Sequence, residues 1–87
     1  MAKNSFIVVA AVGKDRPGLI AGLSSAVASI NGNIEDMDEV VLRNSVFVMS
    51  MVVDISLTKK NFNEVKGILA TKGQRLGLKV LVDRVDL

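Results

Sequence analysis

The chain has no cysteine, histidine, tryptophan or tyrosine, and only three phenylalanines and one proline. Without cysteine there is neither a disulfide framework nor a thiolate metal site, and thiol redox chemistry is excluded. Without histidine as well, the commonest general base and the strongest protein nucleophile are both missing, so most enzyme classes become poor readings. The lack of Trp and Tyr leaves only three phenylalanines as platforms on which nucleic-acid bases could stack. No apolar run approaches the roughly 20 residues of a membrane-spanning helix. The short run Phe6 to Val12 behind Lys3 does not read as a signal peptide, because Asp15 and Arg16 follow too soon and no small-residue cleavage site closes it. A net charge of +2 is too small to drive strong non-specific binding to polyanions. These absences predict a non-catalytic cytoplasmic protein with no metal, no cofactor, no nucleic-acid partner and no membrane association.

What the chain has in excess is apolar surface. Its 49% of hydrophobic residues becomes roughly 57% with the seven glycines, against roughly 45–50% in an average soluble domain. Residues 1–87 are expected to form one domain, and so short a chain buries only about 60–65% of the surface its unfolded form exposes. One small core cannot hide this much apolar material, so a second buried surface is expected, made by self-association into a homodimer or higher oligomer.

Phe6 to Val12 is apolar without alternation, the pattern of a strand buried on both faces. Then comes a compact polar turn, Gly13-Lys14-Asp15-Arg16-Pro17-Gly18, and from Leu19 a helix whose apolar residues Leu19, Leu23, Ala26, Val27 and Ile30 recur at helical spacing. Pro17 suits the first helical position, where a missing N–H costs nothing. Gly32, in Asn31-Gly32-Asn33, suits the left-handed residue that ends the helix. Ile34 to Leu42 reads as a strand interleaved with acids, as at a sheet edge. After a turn near Arg43-Asn44-Ser45, the run Val46 to Ile55 has one parity wholly apolar and the other mostly so, which marks a second central strand. Thr58, or Asn61 with Glu64 in a capping box, opens a second helix striped by Phe62, Val65, Ile68, Leu69 and Leu76 and ended by Gly77. Leu78 to Val85 is a charge-interrupted last strand.

The order βαββαβ, with central patterns in strands one and three and edge patterns in strands two and four, predicts an α+β, ferredoxin-like sandwich. Its four-stranded antiparallel sheet has the order 4-1-3-2. Right-handed crossovers put both helices on one face and leave the other open, to be covered by a second subunit.

Gly13 to Asp36, spanning the first strand's end, the turn, the first helix and the start of strand two, resembles the signature of the ACT domain. The element order extends the likeness over essentially the whole chain. Within that superfamily the sequence is similar to the stand-alone single-domain proteins and to the halves of glycine-cleavage-system repressor-like regulators. The resemblance implies regulatory binding of an amino acid or similar effector at an interface between domains. It also implies a site at Gly13, Lys14, Asp15, Arg16, Pro17, Gly18, Leu19 and Asn33. The turn agrees chemically, since a strand-to-helix junction gathers free N–H groups and the positive end of the helix dipole, which suit a carboxylate. Serine-binding ACT domains place His and Asn where this sequence has Gly13 and Asp15. An ionised Asp accepts hydrogen bonds and cannot donate them, so Asp15 suits an ammonium group better than a carboxylate.

Plainer readings stand beside these. Asp15 can cap the first helix or bond turn amides, Arg16 can be solvated or paired across an interface, and the glycines can serve backbone geometry alone. Asn33 can help end the first helix or offer its amide to a ligand. Strand alternation sends Asp36 and Asp38 to one face and Glu35 and Glu39 to the other, which opposes a cation site. The remaining alternative is a ligand-free module that joins itself or a regulatory protein partner through its open face or edge.

Overall fold

The computed structural model describes residues 5–86. Six elements follow in order: β1 (Phe6–Lys14), α1 (Leu19–Ser29), β2 (Asn33–Leu42), β3 (Val46–Asp54), α2 (Phe62–Arg75) and β4 (Leu78–Val85). They form one antiparallel sheet in the order β2-β3-β1-β4, the ferredoxin-like arrangement expected from the sequence.

Register decides which face each strand residue meets. Ile7, Val9 and Ala11 pair with Val53, Met51 and Met49, and this parity lies under the helices. Leu19, Leu23, Val27 and Ile30 of the α1 segment, with Val65 and Leu69 of α2, close over it to form the core. The other parity sets Val8, Ala10 and Val12 beside Val52, Ser50 and Val48, with Leu81 on β4 next to Ala10. No helix covers this face, and Leu81 and Val12 are 59% and 42% exposed. Thus β1 is apolar on both faces although the chain itself buries only one. On β2 the exposure is two-sided: Met37 and Val41 share the parity of the core, Val40 and Leu42 that of the open face, and all four remain exposed. A register shift between Ile34 and Asp36 leaves Glu35 as an extra residue in the β2 ladder.

The helix ends differ from the sequence expectation in two places. Pro17 is not the first helical residue: Gly18 is the N-cap of α1, with φ 89° and ψ 2°. Those angles belong to the third position of a type II turn, which takes Gly because φ is positive, with Pro favoured just before it. Gly32 is not the left-handed residue after α1 either; Asn31 takes that conformation, with φ 59°. The Asn31 N–H bonds to the Ala28 carbonyl and the Gly32 N–H to the Val27 carbonyl, both at 3.0 Å, a Schellman closure. Asn tolerates this conformation better than most side chains. Position 32 needs glycine for another reason, because a Cβ there would stand 2.9 Å from Val27 Cγ1 and 3.0 Å from Val53 Cγ1.

At α2 the capping box forms on Asn61 rather than Thr58. Asn61 Oδ1 accepts from the Glu64 N–H and Glu64 Oε1 from the Asn61 N–H, each at 2.9 Å. Gly77 follows the helix with φ 76°, as expected of its closing residue.

Candidate functional site

The turn between β1 and α1 is fixed by its neighbours. Gly13 pairs with Phe47 on one side and Leu78 on the other, where β1 passes the junction of α2 and β4. A Cβ at Gly13 would lie 2.5 Å from the Gly77 carbonyl oxygen and 2.8 Å from Leu78 Cδ2, so glycine alone permits this approach. Lys14 pairs with Val46, and the Asp15 N–H adds one more rung by donating to the Ser45 carbonyl at 2.8 Å. The strand thus runs two residues further than the apolar pattern alone implies.

Beyond that rung the chain is exposed through Asp15, Arg16, Pro17 and Gly18, and is buried again at Leu19. Asp15 is three residues before the N-cap and exposed, and no side chain caps α1. Arg16 Nη2 donates to the Arg75 carbonyl at 3.4 Å, where the C-terminal end of α2 presents carbonyl oxygens and partial negative charge. The guanidinium therefore ties the turn to α2. The first helical bond runs from the Gly22 N–H to the Gly18 carbonyl at 2.9 Å, and Gly18 offers no side chain to cap the turn. The amides of Leu19, Ile20 and Ala21 precede that ladder and have no carbonyl partner within α1. An acceptor for an ammonium and donors for a carboxylate thus lie within one turn.

Asn33 is elsewhere. It opens β2 opposite Asp54, and its side-chain amide donates to the Glu35 carboxylate. Gly13 lies opposite Phe47, seven residues away along β3. At about 3.4 Å per residue the two ends of the expected site are roughly 24 Å apart within one chain. Gly13 to Leu19 come together at one end of the sheet, and Asn33 lies at the other.

A groove of about 600 Å3 runs between α1 and α2, with Arg75 at its border and none of the turn residues in its lining. The sequence reading missed it, although one signal was available, a glycine at position 67 inside an otherwise regular helix. Two smaller hollows, of about 200 and 220 Å3, lie along β2 and β3 and include Asp38 and Ser50.

The βαββαβ sandwich with sheet order β2-β3-β1-β4 places the chain in the ferredoxin-like class, a fold that many functions share. The model of the ACT domain matches residues 5–83, and the chain belongs to the ACT domain family. It is 41% identical over 80 residues to a UPF0237 protein of Methanopyrus kandleri, covering 92% of this chain and 88% of that one. Among solved structures it is similar to an ACT domain protein from Streptococcus pneumoniae, with a TM-score of 0.79 and 32% identity over 90% of this chain and 86% of the other. A putative glycine cleavage system transcriptional repressor superposes with the same TM-score at 26% identity, covering 94% of this chain and 46% of that protein. Among the described residues, no helix is long and apolar enough to cross a membrane.

Proposed function

We propose that this chain is a non-catalytic regulatory protein of the cytoplasm that binds an amino acid or similar effector between two copies of itself. The observation that carries this reading is the roughly 24 Å between Asn33 and the Gly13–Gly18 turn, worked above from the strand register. A single amino acid cannot span it. A two-fold axis that sets one chain's turn against the other chain's Asn33 brings the halves together and creates two equal sites. The turn then supplies amides of the α1 start to the ligand carboxylate and Asp15 to its ammonium, and the partner's Asn33 adds a side-chain amide.

A second reading is favoured by the apolar face of Val12, Val40, Leu42 and Leu81: a ligand-free module that joins itself or a regulatory protein. One experiment separates them. The thermal midpoint is first measured against the twenty amino acids, and Asp15→Ala and Asn33→Ala chains are then assayed apart and after mixing through reversible unfolding. Each variant alone should lose the stabilisation by ligand, and the mixture should recover part of it, since a mixed dimer holds one intact site. A response that mixing does not restore refutes the shared site. A flat response from wild type to every amino acid refutes the amino-acid reading and favours the interaction module.

A further inference from the structure

The groove between α1 and α2 has a floor and a rim of different character. Ala26 and Ile68 give it an apolar floor, and Ser25 and Thr71 place hydroxyls on opposite walls. Three cations, Lys60, Lys72 and Arg75, line it against one carboxylate, Glu64. That carboxylate is already engaged, accepting from the Asn61 N–H in the capping box. Two neighbouring cations are turned elsewhere, with Lys66 and Arg84 lying 5.6 and 4.5 Å from the centroid of the Phe62 ring. The groove therefore carries a net positive field over an apolar base, in a volume typical of small-molecule sites.

Gly67 supplies an independent observation. A glycine inside a helix costs stability relative to alanine, so a glycine there usually answers to packing or to positive φ. Gly73 in the same helix answers to packing, since its Cβ would meet Val80 Cγ2 at 2.2 Å. Gly67 answers to neither: its φ is not in the left-handed region, and an added Cβ would meet nothing within 4 Å. Its missing side chain leaves open the wall of the groove. Among the described residues, nothing lies within 4 Å of a Cβ at that position.

We propose that the α1–α2 groove is a second binding site, separate from the β1–α1 turn, for a small organic anion. The apolar or flat body of the anion lies over Gly67, Ala26 and Ile68, and its carboxylate or phosphate is held by Lys72 and Arg75. Lys72 and Arg75 also complement the C-terminal end of the α2 dipole, but that role makes no use of the open wall at Gly67.

The test is a titration of isotope-labelled protein with benzoate, phenyl phosphate and uncharged benzyl alcohol, followed through the backbone amides. At least one of the two anions should move the amides of Ser25, Gly67 and Thr71 saturably, and benzyl alcohol should bind at least about tenfold more weakly, the minimum for losing charge-assisted hydrogen bonds. Position 67 is exposed and open in the direction of a Cβ, so Gly67→Leu should keep the fold and lose the binding. Lys72→Gln with Arg75→Gln should weaken binding by at least about tenfold, with the groove left open. Shifts confined to Lys14–Ala21, no shifts with either anion, equal binding of benzyl alcohol, or unaltered binding in Gly67→Leu would overturn the proposal. Shifts confined to the turn would leave the amino-acid site of the preceding section standing.

Discussion

Replacing Gly67 and Gly73 by alanine, one at a time, isolates what tertiary packing contributes to α2. Gly67 lies in the middle of α2, where alanine gains about 1 kcal/mol of helix propensity, and Gly73 in its last turn, where the gain is at most about 1 kcal/mol. At Gly67 nothing lies within 4 Å of the new methyl, and the gain should appear in full as a rise in midpoint of roughly 4–8 °C for a domain of this size. At Gly73 the methyl would overlap Val80 Cγ2 at 2.2 Å and crowd Val80 Cβ at 3.1 Å and the Leu78 carbonyl at 3.3 Å. Rotation about χ1 can move the Val80 methyls, but it leaves the Cβ and the carbonyl in place. Forcing such a contact costs about 3 kcal/mol, the upper end for overpacking, which leaves a net loss of at least about 2 kcal/mol. The two variants should therefore differ by at least about 3 kcal/mol in denaturant unfolding followed by circular dichroism. Equal chain concentrations are required, because association shifts apparent stability. Equal stability of the two variants would refute the assigned approach of α2 to β4. A loss of stability in Gly67→Ala would refute the empty space beside that position.

The remaining predictions concern the helix cap and the open face. Asn61→Ala removes the acceptor for the Glu64 N–H and should cost about 1 kcal/mol in denaturant unfolding, with Asn61→Asp recovering most of it. A loss equal in both variants would show that the cap contributes nothing. Leu81→Asp places a charge on the uncovered sheet face and should convert oligomer to monomer in sedimentation experiments while preserving the helical circular dichroism. An unaltered mass would exclude that face as the self-association surface.

Much of the fold was legible because its periodicities are clean. Leu19, Leu23, Ala26, Val27 and Ile30 fall on one helical stripe, and all five are buried. The charges of β2 and β4 and the mostly apolar runs of β1 and β3 separated edge from centre, as the order β2-β3-β1-β4 requires. The turn from Gly13 to Gly18 was legible as a junction, because its residue types suit a tight polar connection. Its capping was not. Pro17 and Gly32 fit several positions near a helix end, and which one each takes depends on distances the sequence does not contain. Gly32 is held by contact with Val27 and Val53, the latter 21 residues further along the chain.

Element order, the buried stripe of each helix and an apolar excess beyond one small core can all be read from the residues alone. These follow from side-chain periodicity and composition, which are local or additive. The antiparallel order expected from the sequence sends Asn33 and the Gly13–Gly18 turn to opposite ends of the sheet, but the tertiary structure supplied the register that puts roughly 24 Å between them. It also decided that the empty side of Gly67 faces a basic groove while Gly73 meets Val80, since the approach of one element to another is fixed by packing and not by pattern.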